Sequence, residues 1–138
     1  LLNIMQNLPV VKEGALILVG CGPEENHELA ALMFAVLLRQ EGYFVEYLGP
    51  DLPTDDLLDY SAIVRPKLIV LSVNQENTAD LMKGFAADLA NVRGKPRLAY
   101  AGRYFENNEQ ARKDLGGIYL GKSLAEAMEK IKQLIMLV

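Results

Sequence analysis

Short apolar runs alternate along the chain with stretches whose apolar positions recur every three or four residues. That is the pattern of buried strands joined by crossover helices. Residues 15–19, Ala-Leu-Ile-Leu-Val, predict a first buried strand. Leu29, Leu32, Met33, Val36 and Leu37 then recur at helical spacing, and Gly42 ends that helix. Residues 43–48 predict the second strand, closed by Gly49 and Pro50. Thr54 is the expected N-cap of a second helix, with Asp55 and Asp56 in the first turn, where the helix dipole favours negative charge. Pro66 lies beyond its end. Residues 68–71 predict a third strand, and a third helix is expected from about Thr78, with Leu81, Phe85 and Leu89 on one face. Residues 97–101 predict strand four, 106–114 a short helix, and 118–120 a brief fifth strand. Ser123 is the expected cap of a last helix that turns Leu124, Met128, Ile131 and Ile135 inward.

Strict alternation of this kind predicts an α/β fold: a doubly wound, five-stranded parallel sheet of flavodoxin-like order 2-1-3-4-5. Such sheets bind ligands beyond the carboxyl ends of their strands, near the point where strand order reverses. The loops that matter are therefore 20–27, 72–77 and 101–104. At 138 residues the chain has the length of one ordinary domain. Residues 14–138 are read as that domain, and residues 1–13 as the tail of a missing upstream region. No repeat, linker or low-complexity tract interrupts the pattern.

Composition narrows the function classes. Lys and Arg number 14 against 18 Asp and Glu, for a net charge of −4. That balance lacks the basic footprint needed to grip a phosphate backbone, so direct contact with nucleic acid is not expected. The single cysteine, Cys21, cannot form an internal disulfide; it fits a reducing cytoplasm and reads as a small buried hydrophobe. No apolar run reaches the roughly 18 residues of a membrane span.

The first of the three loops contains the only histidine, His27. Glu25, two residues earlier, is close enough to accept a hydrogen bond from one imidazole nitrogen, leaving the other free for a metal. One histidine does not make a zinc or iron site, and no cluster of Cys, His and Asp with ligand spacing occurs elsewhere. A metal at His27 must arrive with most of its ligands already supplied. Gly20-x-Gly22 is a poor dinucleotide fingerprint, because Glu25 stands at its last glycine position.

The run Glu25-Asn26-His27-Glu28-Leu29-Ala30, followed after 41 residues by Ser72-Val73-Asn74 and after 26 more by Ala101-Gly102, resembles the dispersed signature of cobalamin-binding domains. In that family the order is Asp-x-His-x-x-Gly, Ser-x-Leu and Gly-Gly, and both gaps of this chain fall within the family's pattern. The resemblance extends from Gly14 onward. It implies a cobalamin cofactor, adenosylcobalamin or methylcobalamin, whose cobalt takes His27 as its lower axial ligand. It further implies that Glu25, Ala30, Ser72, Asn74, Ala101 and Gly102 contact the cofactor or orient its ligand. The family's small residues clear a slot for the displaced nucleotide tail. Ala30, Asn74 and Ala101 stand where it has Gly, Leu and Gly, so a narrower slot is expected. Residues 47–53, Tyr-Leu-Gly-Pro-Asp-Leu-Pro, resemble the Leu-Gly-x-x-x-Pro turn of methyltransferase-type corrinoid proteins and MerR-type sensors. Arg103, Tyr104 and Phe105 are expected at the rim.

Glu in place of Asp before the histidine is similar to the sensor domains of MerR-type transcription regulators. This implies a cytoplasmic, non-enzymatic sensing module, with a helical cap and a DNA-binding domain upstream and homo-oligomers as possible assemblies. Two alternatives stand beside it: a corrinoid carrier domain of a methyltransferase system, and a family member that has lost the cofactor. Phosphoacceptor receivers share the fold but need an acidic cluster after strand one and an Asp ending strand three; Cys21 and Ser72 occupy those places.

Overall fold

The computed structural model describes Ile4 and residues 13–136. The expected upstream tail, residues 1–13, otherwise lies outside the described residues. Five strands, β1 (Leu16–Cys21), β2 (Phe44–Gly49), β3 (Leu68–Ser72), β4 (Arg97–Ala101) and β5 (Ile118–Tyr119), form one parallel sheet in the order 2-1-3-4-5. Among the described residues six α-helices connect or follow them: α1 (Leu29–Gln40), α2 (Thr54–Val64), α3 (Glu76–Leu81), α4 (Phe85–Leu89), α5 (Glu109–Leu115) and α6 (Leu124–Met136). A 3-10 turn, Arg103–Phe105, follows β4. The doubly wound architecture is the one expected. No helix among the described residues is long and apolar enough to cross a membrane.

Both faces of the sheet are covered, so its central strands are apolar on both sides. Ile17, Val19 and Cys21 of β1 pack with Val70 and Ala99 under α1 and α6. Leu16 and Leu18 pack with Ile69, Leu71 and Leu98 against the opposite face, under α2 to α5. Alternation along one strand thus feeds two separate cores.

Several local expectations shift. Helix α1 buries Ala31, Phe34, Ala35, Val36 and Leu38, whereas Leu29 is 64% exposed. The large side chains at 29 and 33 drew the sequence reading toward one face, but the small alanines are what let the helix sit close to the sheet. Thr54 is the first residue of α2 rather than its cap; Pro53 precedes it in extended conformation and no side chain caps the helix. The single helix expected from Thr78 is two, because Gly84 at φ +84° breaks it. Met82 then takes the buried place, and Leu81 is left 48% exposed. Ser123 does cap α6: its Oγ accepts from Glu126 N at 3.1 Å.

Two acidic protons are held in these cores. Burial pushes the Cys21 thiol up to about 12, with the charges of Glu25 and Glu28 adding to it. Burial likewise raises the Tyr100 phenol to about 12, against the opposing charge of Arg112. Both groups stay neutral in the fold and ionise first in the unfolded chain. Stability is therefore complete below about pH 9 and falls as the pH rises from there toward 12, by up to about 1.4 kcal/mol per pH unit for each group. Urea midpoints measured from pH 7 to 11 should drop above pH 9, with a shallower drop in Cys21→Ala; a flat profile would contradict the assignment.

Candidate functional site

The register of the sheet sets Cys21, Ser72 and Ala101 in one row across β1, β3 and β4, at the carboxyl edge. Above that row the chain leaves the strands by three loops, and a cavity of about 690 Å³ opens between them, α1 and the start of α6. That volume lies within the usual range for small-molecule sites, roughly 300–1,000 Å³. His27, Ala30, Ser72, Asn74, Ala101 and Gly102 all line it, so six of the seven residues singled out in the sequence meet around one space. The seventh, Glu25, lies beneath.

Glu25 is fully buried, and each carboxylate oxygen is bonded. Oε1 accepts from Asn74 N at 2.7 Å. Oε2 accepts from His27 N at 3.3 Å and stands 3.1 Å from His27 Nδ1. A carboxylate can only accept, so Nδ1 carries a proton, and in the neutral ring Nε2 is the nitrogen with the lone pair. The His27 side chain itself is 79% exposed. The result is a surface imidazole with one nitrogen fixed from below and the other open, as a metal-binding histidine requires. Among the described residues, no three His, Cys, Asp or Glu side chains gather where they would hold a bare ion.

The loop that bears these residues is pinned along its length. Glu25 N donates to Gly22 O at 3.1 Å, and Gly22 N to Ser72 O at 3.1 Å. Gly22 has no room for a side chain, since a Cβ would sit 2.7 Å from Thr78 Cγ2 and 2.9 Å from Met82 Sδ. Glu28, just before α1, accepts from the Tyr47 hydroxyl at 2.6 Å. That bond adds to burial in pushing the Tyr47 phenol well above its ordinary range. Cys21 donates its thiol to His27 O at 3.7 Å. With its proton held, Cys21 is no thiolate ligand.

The substituted positions behave differently from one another. Ala30 and Ala101 line the cavity wall. Asn74 is drawn into a clasp: its Nδ2 donates to Ser72 Oγ at 3.4 Å and its Oδ1 accepts from Arg103 N at 3.1 Å. Gly102 has a backbone reason to be glycine. Its φ is +151°, and a Cβ there would overlap the Val73 carbonyl.

The rim expected from residues 103–105 is only partly there. Arg103 lines the cavity, but Phe105 is fully buried, its ring centroid 4.6 Å from that of Tyr100 and tilted to it by 57°. Tyr104 turns to a second, smaller cavity of about 220 Å³ beside α3 and α5. The sequence reading missed Leu29, Met33, Lys122 and Leu124 as walls. Exposed apolar residues at the first turns of α1 and α6, the helices that flank the ligand edge, were the available signal.

No family model matches the chain, and no curated protein matches its sequence. Among solved structures it is similar to a cobalamin-binding protein from Desulfitobacterium hafniense DCB-2, with a TM-score of 0.73 at 22% identity, over 88% of this chain and 58% of that one. It is similar also to the monomethylamine corrinoid protein of Methanosarcina barkeri, at 0.72 and 14%, over 95% of this chain and 62% of that one. A third is the methanol:cobalamin methyltransferase complex MtaBC of Methanosarcina barkeri, at 0.71 and 18%, over 86% and 46%. The chain shares their fold. It spans less than two thirds of each of those chains. Response-regulator domains share the fold at TM-scores of 0.53 to 0.58, so the fold does not separate the two classes and the site residues must.

Gly102→Ala should destabilise the chain by on the order of 3 kcal/mol, through overpacking and a φ that alanine avoids. Ala101→Gly, on the open wall, should change stability by about 1 kcal/mol or less. Urea unfolding of both variants checks the contrast, and similar midpoints would refute it.

Proposed function

We propose that this chain binds a corrinoid, with cobalt held from below by His27 Nε2, as the sensing module of a MerR-type regulator. The observation that carries the reading is the exposed imidazole whose Nδ1 rests on the fully buried Glu25 at the mouth of the cavity. A single prepared imidazole suits a metal that brings its other ligands, and a corrin brings four nitrogens. The cavity is also of the right character for such a group. Leu29, Met33, Phe34 and Leu124 give it apolar walls, while Ser72, Asn74, Ser123, Arg103 and Lys122 supply polar ones.

In this reading His27 donates its lone pair and Glu25 fixes the donating tautomer. Ala30, Ser72, Asn74, Ala101 and Gly102 line the space for the displaced nucleotide tail. A bound cobalt corrinoid would supply the reactive chemistry, and none of these side chains forms a nucleophile with its own base. The module is thus read as a binder rather than an enzyme. Its cytoplasmic setting, an upstream helical cap, an upstream DNA-binding domain and ligand-dependent oligomers belong to the same proposal. Glu25 in place of Asp before the histidine favours the sensor. One observation favours the carrier reading instead: 95% of the chain superposes on a corrinoid protein whose name places it with monomethylamine. A sensor of this kind should prefer adenosylcobalamin, whereas a carrier should take methylcobalamin and exchange its methyl group.

Absorption spectra with hydroxocobalamin, methylcobalamin and adenosylcobalamin test the proposal directly. The wild-type chain should give an imidazole-ligated spectrum, and His27→Ala should lose it or lose binding. An unchanged spectrum and affinity in that variant would overturn the assignment. Glu25→Gln keeps the shape but weakens the bond to Nδ1, and affinity should fall about 10–100-fold. A loss greater than that of His27→Ala, or none, would remove Glu25 from this role.

A further inference from the structure

The turn between β2 and α2 is bonded less to its own neighbours than to the loop bearing His27. Asp51 makes two of these bonds, in opposite directions. Its Oδ1 accepts from Glu24 N at 2.7 Å, and its own N–H donates to Glu25 O at 2.9 Å. The next residue adds a third, Leu52 N to Cys21 O at 3.2 Å. The Leu52 side chain fills the space above Gly20, where a Cβ would overlap it. The turn is thus fitted against both the end of β1 and the segment that leaves it.

Asp51 and Glu24 are also two of the four non-glycine residues with positive φ among the described residues, at +49° and +60°. Such conformations cost energy and persist only where the surroundings over-determine them. Here the two face one another across a shared hydrogen bond. Aspartate is among the few side chains that tolerate this region, and it brings the acceptor that Glu24 N needs. From the opposite side Asn77 Nδ2 donates to Glu24 Oε1 at 3.2 Å, and Asn74 N holds Glu25 Oε1. The Glu24–Glu25 pair is therefore gripped from the β2 side by Asp51 and from the β3 side by two asparagines.

We infer that Asp51 is a positioning residue for His27, acting through the backbone of Glu24 and Glu25. This rests on the reading of His27 as the metal ligand. Asp51 does not touch the imidazole. It sets where the Glu25 main chain sits, and therefore where Oε2 meets Nδ1. Without the Oδ1 acceptor, Glu24 N turns to water and the loop gains freedom. The bond to Nδ1 then loosens, and with it the preference for the tautomer that leaves Nε2 free.

The test compares wild type with Asp51→Ala, Asp51→Gly and Asp51→Asn in the whole chain. Asp51→Asn retains an acceptor oxygen and tolerates the turn. Asp51→Gly removes the acceptor while relieving the backbone, so it remains informative if Asp51→Ala fails to fold. Nitrogen-15 NMR of the neutral His27 ring, recorded without any corrinoid, should show the Nδ1–H tautomer dominant in wild type and Asp51→Asn. It should show a mixture in the other two. With hydroxocobalamin, the Ala and Gly variants should lose about tenfold in affinity for the imidazole-ligated form, and Asp51→Asn should recover it. A wild-type tautomer in Asp51→Gly would overturn the inference, as would an Asn variant as impaired as Gly. If the wild-type chain takes up no corrinoid, the cofactor reading fails, while the NMR comparison still decides the role of Asp51.

Discussion

A fully buried carboxylate is the constraint around which the ligand edge is organised. Removing Glu25 from water costs several kcal/mol unless its oxygens are bonded, and the chain meets that demand with the N–H groups of Asn74 and His27 and with the His27 ring. The bonding partners of Glu25 come from different parts of the edge. Asn74 follows β3, His27 precedes α1, and the Glu25 carbonyl takes the N–H of Asp51 beyond β2. Bonding the carboxylate and the carbonyl of this one residue therefore fixes the relative placement of three strand ends. The exposed imidazole is the last member of that network, and it inherits its orientation from a position it shares with no solvent.

The strand order and the hydrogen-bonded pairing of Glu25 with His27 were legible in the sequence because both follow from local rules. Continuous apolar runs mark strands covered on both faces, and a carboxylate two residues from a histidine in a loop has the reach to bond it. What was not legible depends on distances between segments far apart in the chain. Asp51 looked like part of a tight turn, since nothing at positions 47–53 reveals that its partners lie at 24 and 25. Asn74 read as a mismatch in a slot, whereas its side chain serves Ser72 and Arg103. Phe105 looked like rim because it follows a strand end; a 3-10 turn swings it back onto Tyr100. Helix α1 misled in the other direction: Leu29 and Met33 look like core positions but flank the cavity, while Phe34, Leu38 and two alanines are buried.

The glycines of the site also separate into two kinds. Gly22 and Gly102 are fixed by what a Cβ would strike, in one case side chains of the α3 region and in the other the Val73 carbonyl. Ala30 and Ala101 stand at places where the resemblance has glycine, yet they border open space. A small residue required by the backbone and one preferred by a ligand look alike in a sequence motif. Only the neighbours distinguish them.

The two cores of the sheet are not equivalent neighbours of that edge. The cavity is walled by α1 and the start of α6, the helices over one face, while α2, α4 and α5 cover the other face away from it. Mutational drift can therefore run at two speeds in this protein. Replacements beneath α2, α4 and α5 alter packing without moving the α1–α6 walls of the cavity. On the α1–α6 side a change in packing also moves a wall of the cavity, so one residue there answers to the core and to the shape of that space at once.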